Sequence, residues 1–259
     1  MDLPAYREIV QRNARRWEAM AHYRQGMTLD QHRAGVSALE PEEWELLGDL
    51  RGQRVLHLAC SMSDEGISMA ARGATVTGID IAPTHIRAGR AKAAALGADV
   101  TLRVGDMMQL DADLGDFDLV YISTGGLCWV PDLDDWLVGV RTVLKAAGRL
   151  LISEHHPLWE TLGVAGERHL VVLSDYFGTQ ELTVIHDPVK SAIGTAETAD
   201  DENPLQHFIW GIGAVVSALI RHDFEIKALL ELPDAEMYRG LGAAASCIPA
   251  VYRLMATRR

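Results

Sequence analysis

The chain has 259 residues, of which 48% are hydrophobic and 23% charged, enough to bury a core of its own. Nothing in it resembles the long apolar run of a membrane span, and the opening Met1-Asp2-Leu3-Pro4 lacks the basic and apolar blocks of a secretory signal. A formal net charge of −12 repels phosphate backbones and anionic lipid, which sets aside nucleic acid and membrane and leaves a small molecule as the expected partner. Cys60, Cys128 and Cys247 lie far apart without metal-ligand spacing, and read as reduced thiols of a cytoplasmic protein.

Residues 4–23 carry Tyr6, Ile9, Val10, Trp17 and Met20 at roughly helical spacing, and 41–50 opens on Pro41-Glu42-Glu43, a good first helical turn. Residues 1–50 are therefore read as a helical cap and 51–259 as the core domain. In that core, segments 55–58, 74–79, 100–104, 117–122 and 149–153 are short and apolar, and helical stretches at 65–72, 83–96 and 132–144 separate them. Strands apolar along their length imply a mostly parallel sheet covered on both faces, the doubly wound α/β class. After Pro157 the alternation stops. An insertion at about 158–206 holds two strand-like pieces, 170–173 and 181–185, expected to form a β-hairpin, and a polar loop at 187–204. A helix at 212–222 and strands at 224–232 and 250–256 close the chain.

The first strand runs into Ala59-Cys60-Ser61-Met62-Ser63, a helix, and a second strand ending at Asp80. This is the nucleotide-binding half of such a sheet, in which amides at a helix start favour an anion and a carboxylate takes ribose hydroxyls. Glycine usually fills these loops because it reaches positive φ with no Cβ toward the ligand. Here Ala59, Ser61 and Ser63 stand at those positions.

His57-Leu58-Ala59-Cys60, Thr75 to Asp80, Gly105-Asp106-Met107, Phe117 to Tyr121, Gly126 to Trp129 and Glu154-His155-His156-Pro157 follow one another in a telling order and spacing. Together they resemble the class I S-adenosylmethionine-dependent methyltransferases of the bacterial small-molecule type, over nearly the whole chain. The resemblance implies a Rossmann-like, mostly parallel seven-stranded sheet with its last strand inserted antiparallel. It also implies S-adenosylmethionine as cofactor and a small methyl acceptor, in bacterial biosynthesis such as that of natural products, with the protein a monomer or homodimer. By the same resemblance His57, Ala59, Ser61 and Ser63 lie at the methionine part of the cofactor, and Asp80 with Ile81 at the ribose. Asp106 takes the adenine amino group, Met107 packs on the ring, and Ser123, Thr124 and Gly125 border the sulfonium. Trp17 and Tyr23 belong to a leading segment that folds over the cofactor in relatives, and are substrate-side candidates with Trp129.

His155 and His156 follow the fifth strand, on the side of an open sheet where ligands sit. Either could take a proton from a hydroxyl, an amine or an activated carbon, or the pair could simply orient the loop through backbone hydrogen bonds. Trp129 reads as an aromatic wall, whereas Asp132, Asp134 and Asp135 read as a helix cap and its first turn. His57 admits a second reading as a buried, satisfied histidine, and Trp17 as ordinary helix packing. No His, Asp or Glu set has metal spacing. The altered glycine positions also allow a repurposed enzyme catalysing cyclisation, rearrangement or elimination, with the cofactor absent or structural. A nicotinamide dehydrogenase would explain Asp80 but not the missing G-x-G-x-x-G.

Overall fold

The computed structural model describes residues 3–21, 26–110, 112–166, 168–177, 182–183 and 206–259. Three helices lead: α1 (Leu3–Met20), α2 (Leu29–Arg33) and α3 (Pro41–Leu47). The helix α2 is absent from the sequence expectation, although Thr28 and Gln31 form a capping box in which each side chain accepts the other's backbone N–H. The core then alternates β1 (Arg54–Leu58), α4 (Asp64–Ala70), β2 (Thr75–Asp80), α5 (Pro83–Leu96), β3 (Val100–Val104), β4 (Phe117–Ile122), α6 (Leu133–Val143) and β5 (Leu144–His155). Proline at the first turn of α5 and a left-handed Gly97 after it (φ 63°) set that helix's two ends. Asp132 caps α6 by accepting the amides of Asp134 and Asp135 at 3.0 and 3.1 Å.

Past β5 come α7 (Pro157–Thr161), β6 (Leu162–Val164), β7 (Leu170–Val172), β8 (Leu182–Thr183), β9 (Gln206–His207), α8 (Ile212–Arg221), β10 (Phe224–Leu232) and β11 (Val251–Arg258). Seven strands make one sheet in the order β10-β11-β5-β4-β1-β2-β3. The five from β5 to β3 are parallel, and β11 runs antiparallel between β5 and β10. This is the seven-stranded class I arrangement expected from the sequence. Alternate residues of each strand feed opposite faces. Leu56, Val120, Ile152 and Leu254 pack under α6 and α8 with Trp136, Leu137, Val215 and Leu219. Val55, Val76, Leu119 and Leu151 pack under α3 and α4 with Leu47 and Met69. Among the described residues no helix is long and apolar enough to cross a membrane.

Two expectations are corrected. The strand expected at 149–153 spans 144–155, because α6 passes directly into it and the register slips between Phe117 and Leu119, with Ala147 at φ 60°. The pieces 170–173 and 181–185 do not pair with each other. β7 pairs with β6 through a short turn that the Ala165 amide closes on the His169 carbonyl at 2.9 Å, while β8 pairs with β9. A neighbour five residues away closes at less entropic cost than a distant one. The polar loop expected at 187–204 lies outside the described residues.

Candidate active site

The β1–α4 loop has the backbone of a glycine loop without its glycines. Ala59, Ser61 and Ser63 all take left-handed φ, at 49°, 49° and 60°. Such a conformation costs a residue with a side chain about 1–2 kcal/mol, so neighbouring contacts must hold it. The Cys60 amide donates to the Ile79 carbonyl at 3.0 Å and the Ser63 amide to the Cys60 carbonyl at 2.7 Å. The Ser61 amide donates to Asp80 Oδ2 at 2.7 Å. The Ser63 side chain and that of its neighbour Cys60 have turned back into notches cut by other glycines. A Cβ on Gly66 would stand 2.1 Å from Ser63 Oγ, and one on Gly78 would stand 2.8 Å from Cys60 Sγ. Cys60 and Ser63 are each only 1% exposed. Burial, with Asp80 nearby, pushes the Cys60 thiol well above its usual range, so it is an inert packing group. Gly66→Ala is expected to destabilise the protein by about 1–3 kcal/mol, and Ser63→Gly in the same chain to recover part of that loss. Urea denaturation of the two single variants and the double variant checks this, and additive losses would refute the notch.

Behind the loop lies His57, fully buried, with Nδ1 3.4 Å from Ser63 Oγ and Nε2 3.2 Å from Ser123 Oγ. Desolvation holds its imidazole down to about 3, with Asp64 only partly opposing, so it is neutral at pH 7. His57 thus joins the loop after β1 to the one after β4 as a satisfied spacer.

Asp80 ends β2 with one oxygen on the Ser61 amide and the other on the Ala82 amide at 2.9 Å. A carboxylate offers about four acceptor directions, so roughly two remain for a ligand. Ile81 beside it is half-buried. Asp106, two residues past β3, accepts the Met108 amide at 2.9 Å on Oδ1, and Gln109 Nε2 at 3.1 Å on Oδ2. The same Oδ2 accepts the Tyr6 hydroxyl of α1. Burial and this carboxylate push the Tyr6 phenol above its ordinary value. Met107 is half-buried against the main core. Tyr6 is a residue that sequence reasoning placed only by helical spacing, and nothing local marks it as a partner of Asp106.

The helix α1 is tied down along its length. Asn13 makes a reciprocal pair with the Gln206 backbone, donating to its carbonyl at 2.8 Å and accepting its amide at 3.0 Å. Glu18 accepts the Thr84 amide at 2.9 Å and also its hydroxyl, at the start of α5. Trp17 stands edge-on to Trp129, with centroids 5.5 Å apart, and 6.4 Å from His85. Trp129 in turn meets His207 at 6.2 Å. Trp17 and Trp129 are therefore brought together, while Tyr23 lies outside the described residues.

The tandem histidines part company. His156 Nδ1 accepts the Leu158 amide at 3.1 Å, capping α7, and its Nε2 lies 2.8 Å from Glu231 Oε1. Both nitrogens of this 3% exposed ring are engaged, one of them by the backbone of the following turn. His155 points the other way, into a crevice bounded by Leu127, Glu160, Phe208 and Trp210. Its Nδ1 is 3.7 Å from both Glu154 and Glu160, and its ring centroid lies 4.8 Å from that of Trp159. A Cβ on Gly125 would come within 3.7 Å of its Cε1, so His155 borders the loop after β4 that holds Ser123, Thr124 and Gly125.

Glu154 organises that loop. One oxygen accepts the Gly125 and His155 amides at 2.6 and 2.7 Å, and the other accepts the Leu127 amide at 2.6 Å. Burial outweighs these donors and leaves its carboxyl above the usual range. Thr124 Oγ1 meets Ser153 Oγ at 3.4 Å, and Ser153 donates to the buried Glu43 at 2.6 Å. Glu154 was legible only as a neighbour of the histidines, since three converging amides leave no trace in sequence.

Comparison with known proteins agrees with this architecture. Residues 55–148 match the profile of a methyltransferase domain family. The ubiquinone biosynthesis O-methyltransferase of Xanthomonas euvesicatoria is 32% identical over 144 residues, which cover 53% of this chain and 60% of that protein. The chain thus spans about three fifths or less of the curated relatives it matches first. An S-adenosylmethionine-dependent methyltransferase from Mesorhizobium loti superposes with a TM-score of 0.63 at 21% identity, over 89% of this chain and all of that one. The glycopeptide N-methyltransferase MtfA, in complex with S-adenosylmethionine, gives 0.56 at 22% identity over 84% and 92% of the two chains. At these identities the structural likeness is one of fold.

Proposed function

We propose that this chain, a member of the class I S-adenosylmethionine-dependent methyltransferase superfamily, transfers a methyl group from S-adenosylmethionine to a small-molecule acceptor in a bacterial biosynthetic pathway. The observation that carries the reading is the loop from Ala59 to Ser63. Its three left-handed residues, anchored on Asp80, keep the backbone of a cofactor loop although every glycine is gone.

The residues fit the cofactor. Asp80 retains acceptor capacity for the ribose hydroxyls, and Asp106 already accepts a hydroxyl arriving from α1, as it would an adenine N–H. The Cys60 and Ser63 side chains are buried, packed against Gly78 and Gly66. When bound, the cofactor supplies a methyl group on a positively charged sulfur. The chain's own part is positioning and proton removal. The loop, Ile81, Met107 and the Ser123–Gly125 turn hold the donor, Trp17 and Trp129 cover it, and His155 takes a proton from the acceptor.

Calorimetry with S-adenosylmethionine and S-adenosylhomocysteine tests the cofactor. Both are expected to bind the folded protein, and binding of neither would remove the proposal in favour of a non-methylating enzyme on the same fold. His155→Ala is expected to lower turnover by about 100-fold with donor affinity nearly unchanged. His156→Ala is expected to lower stability by about 1 kcal/mol through the lost cap of α7 and to leave turnover near wild type. Equal loss of turnover in the two variants would reassign the base.

A further inference from the structure

The crevice beside His155 has a composition that the proposed reaction does not by itself require. Two carboxylates, two imidazoles, a thiol and a phenol face it or edge it: Glu154 from β5, Glu160 from α7, His155, His207 from β9, Cys128 and Tyr252 from β11. Its lining among the described residues includes no lysine or arginine. Glu160 stands between the imidazoles, with Oε1 3.7 Å from His155 Nδ1 and Oε2 3.6 Å from His207 Nε2. Tyr252 is 1% exposed, and its buried hydroxyl has no hydrogen-bond partner among the described residues, an unusual cost for a native interior. Trp159, Phe208 and Trp210 supply flat apolar surface around these groups.

We infer that this crevice is the acceptor subsite, that it admits a phenol or aromatic amine bearing no negative charge, and that Glu160 is the positioning residue aiming the His155 ring at it. The inference rests on the methyl-transfer reading and goes on to name the acceptor class. An acceptor carboxylate would meet Glu154 and Glu160, and no lysine or arginine among the described lining residues offsets them. A phenol oxygen or amine nitrogen, by contrast, can accept from the Tyr252 hydroxyl and give its own proton to His155 Nε2, which makes no hydrogen bond among the described residues. In the transfer step the acceptor's O–H or N–H bond breaks and its proton passes to Nε2. The freed electron pair closes on the methyl carbon, and the carbon–sulfur pair stays on sulfur as a neutral thioether. The imidazolium, held by Glu160, then releases its proton to water. His207 holds the far oxygen of Glu160 and so fixes the carboxylate's orientation.

Two probes that share a ring and differ in charge test this on the full chain: tyramine and 4-hydroxyphenylacetate, titrated by calorimetry at pH 7. Tyramine is expected to bind at least about tenfold more tightly to the wild type. Glu160→Gln should shrink that ratio to about threefold or less, and Glu160→Asp should restore it. Equal or tighter binding of the acid, or binding of neither probe, would overturn the inference. The charge ratio is read on the wild type, so a variant that fails to fold leaves the test standing. A protein that binds the probes but not S-adenosylmethionine would instead overturn the methyl-transfer reading alone.

Discussion

Acidification from pH 7 to about pH 3 is expected to remove about 4–5 kcal/mol of folding stability through His57 alone. The unfolded chain binds a proton at this residue near pH 6.5, whereas burial holds the folded-state value at about 3. Between those two values only the unfolded state carries the extra proton, so stability falls as the pH falls, by about 1.4 kcal/mol per pH unit. Above pH 6.5 neither state is protonated there and the effect vanishes. Replacing His57 by Gln removes this slope, because the amide can still reach a serine hydroxyl but does not titrate. The measurement is guanidinium denaturation of both proteins across pH 4 to 7, read as a difference, since other carboxylates acid-titrate alike in each. Parallel curves would show that His57 ionises freely in the folded protein and that its place between Ser63 and Ser123 is less closed than the geometry indicates.

Asp80→Ala is expected to weaken S-adenosylmethionine binding by at least about 100-fold, from the loss of two charge-assisted hydrogen bonds to the ribose. The same change costs stability without any ligand. Ser61 and Ala82 each lose the carboxylate oxygen that receives their amide, and the left-handed Ser61 loses what pins it. A stability loss of about 1–3 kcal/mol is expected from the stranded amides. Asp80→Asn separates the two effects, since it keeps one oxygen for one amide while removing the charge. It should therefore retain more stability than Asp80→Ala yet still bind poorly. Calorimetry and thermal unfolding together check this. Donor affinity unchanged in Asp80→Ala would place the ribose elsewhere.

The sheet was legible because the central strands β1 and β4 are mostly apolar and the helices between strands are bounded by Pro83, Gly97 and Asp132, signals that act within a few residues. The insertion was not. A two-residue ladder such as Leu182–Thr183 on Gln206–His207 carries no periodicity, and nothing in 170–173 says that its partner lies just upstream. In the candidate site, the sequence points to Asp80, Asp106 and His155 by their places at or just past strand ends. The loop could be read only as a set of missing glycines, because a sequence lists side chains and not torsions. That the lost space was recovered at Gly66 and Gly78 depends on which residues face each other across α4 and β2. His156 and Glu154 show the same limit from the other side. Adjacent in sequence to His155, they are fixed by amides and by Glu231, partners that only the folded chain supplies.

The reciprocal pair between Asn13 and Gln206 ties together two stretches of chain 193 residues apart. One carries Tyr6 onto Asp106, and the other carries His207 toward Glu160. The leading helix and the strand beside His155 are thus fastened to each other, so on the proposed reading a donor held under the first and an acceptor seated by the second would share one anchor.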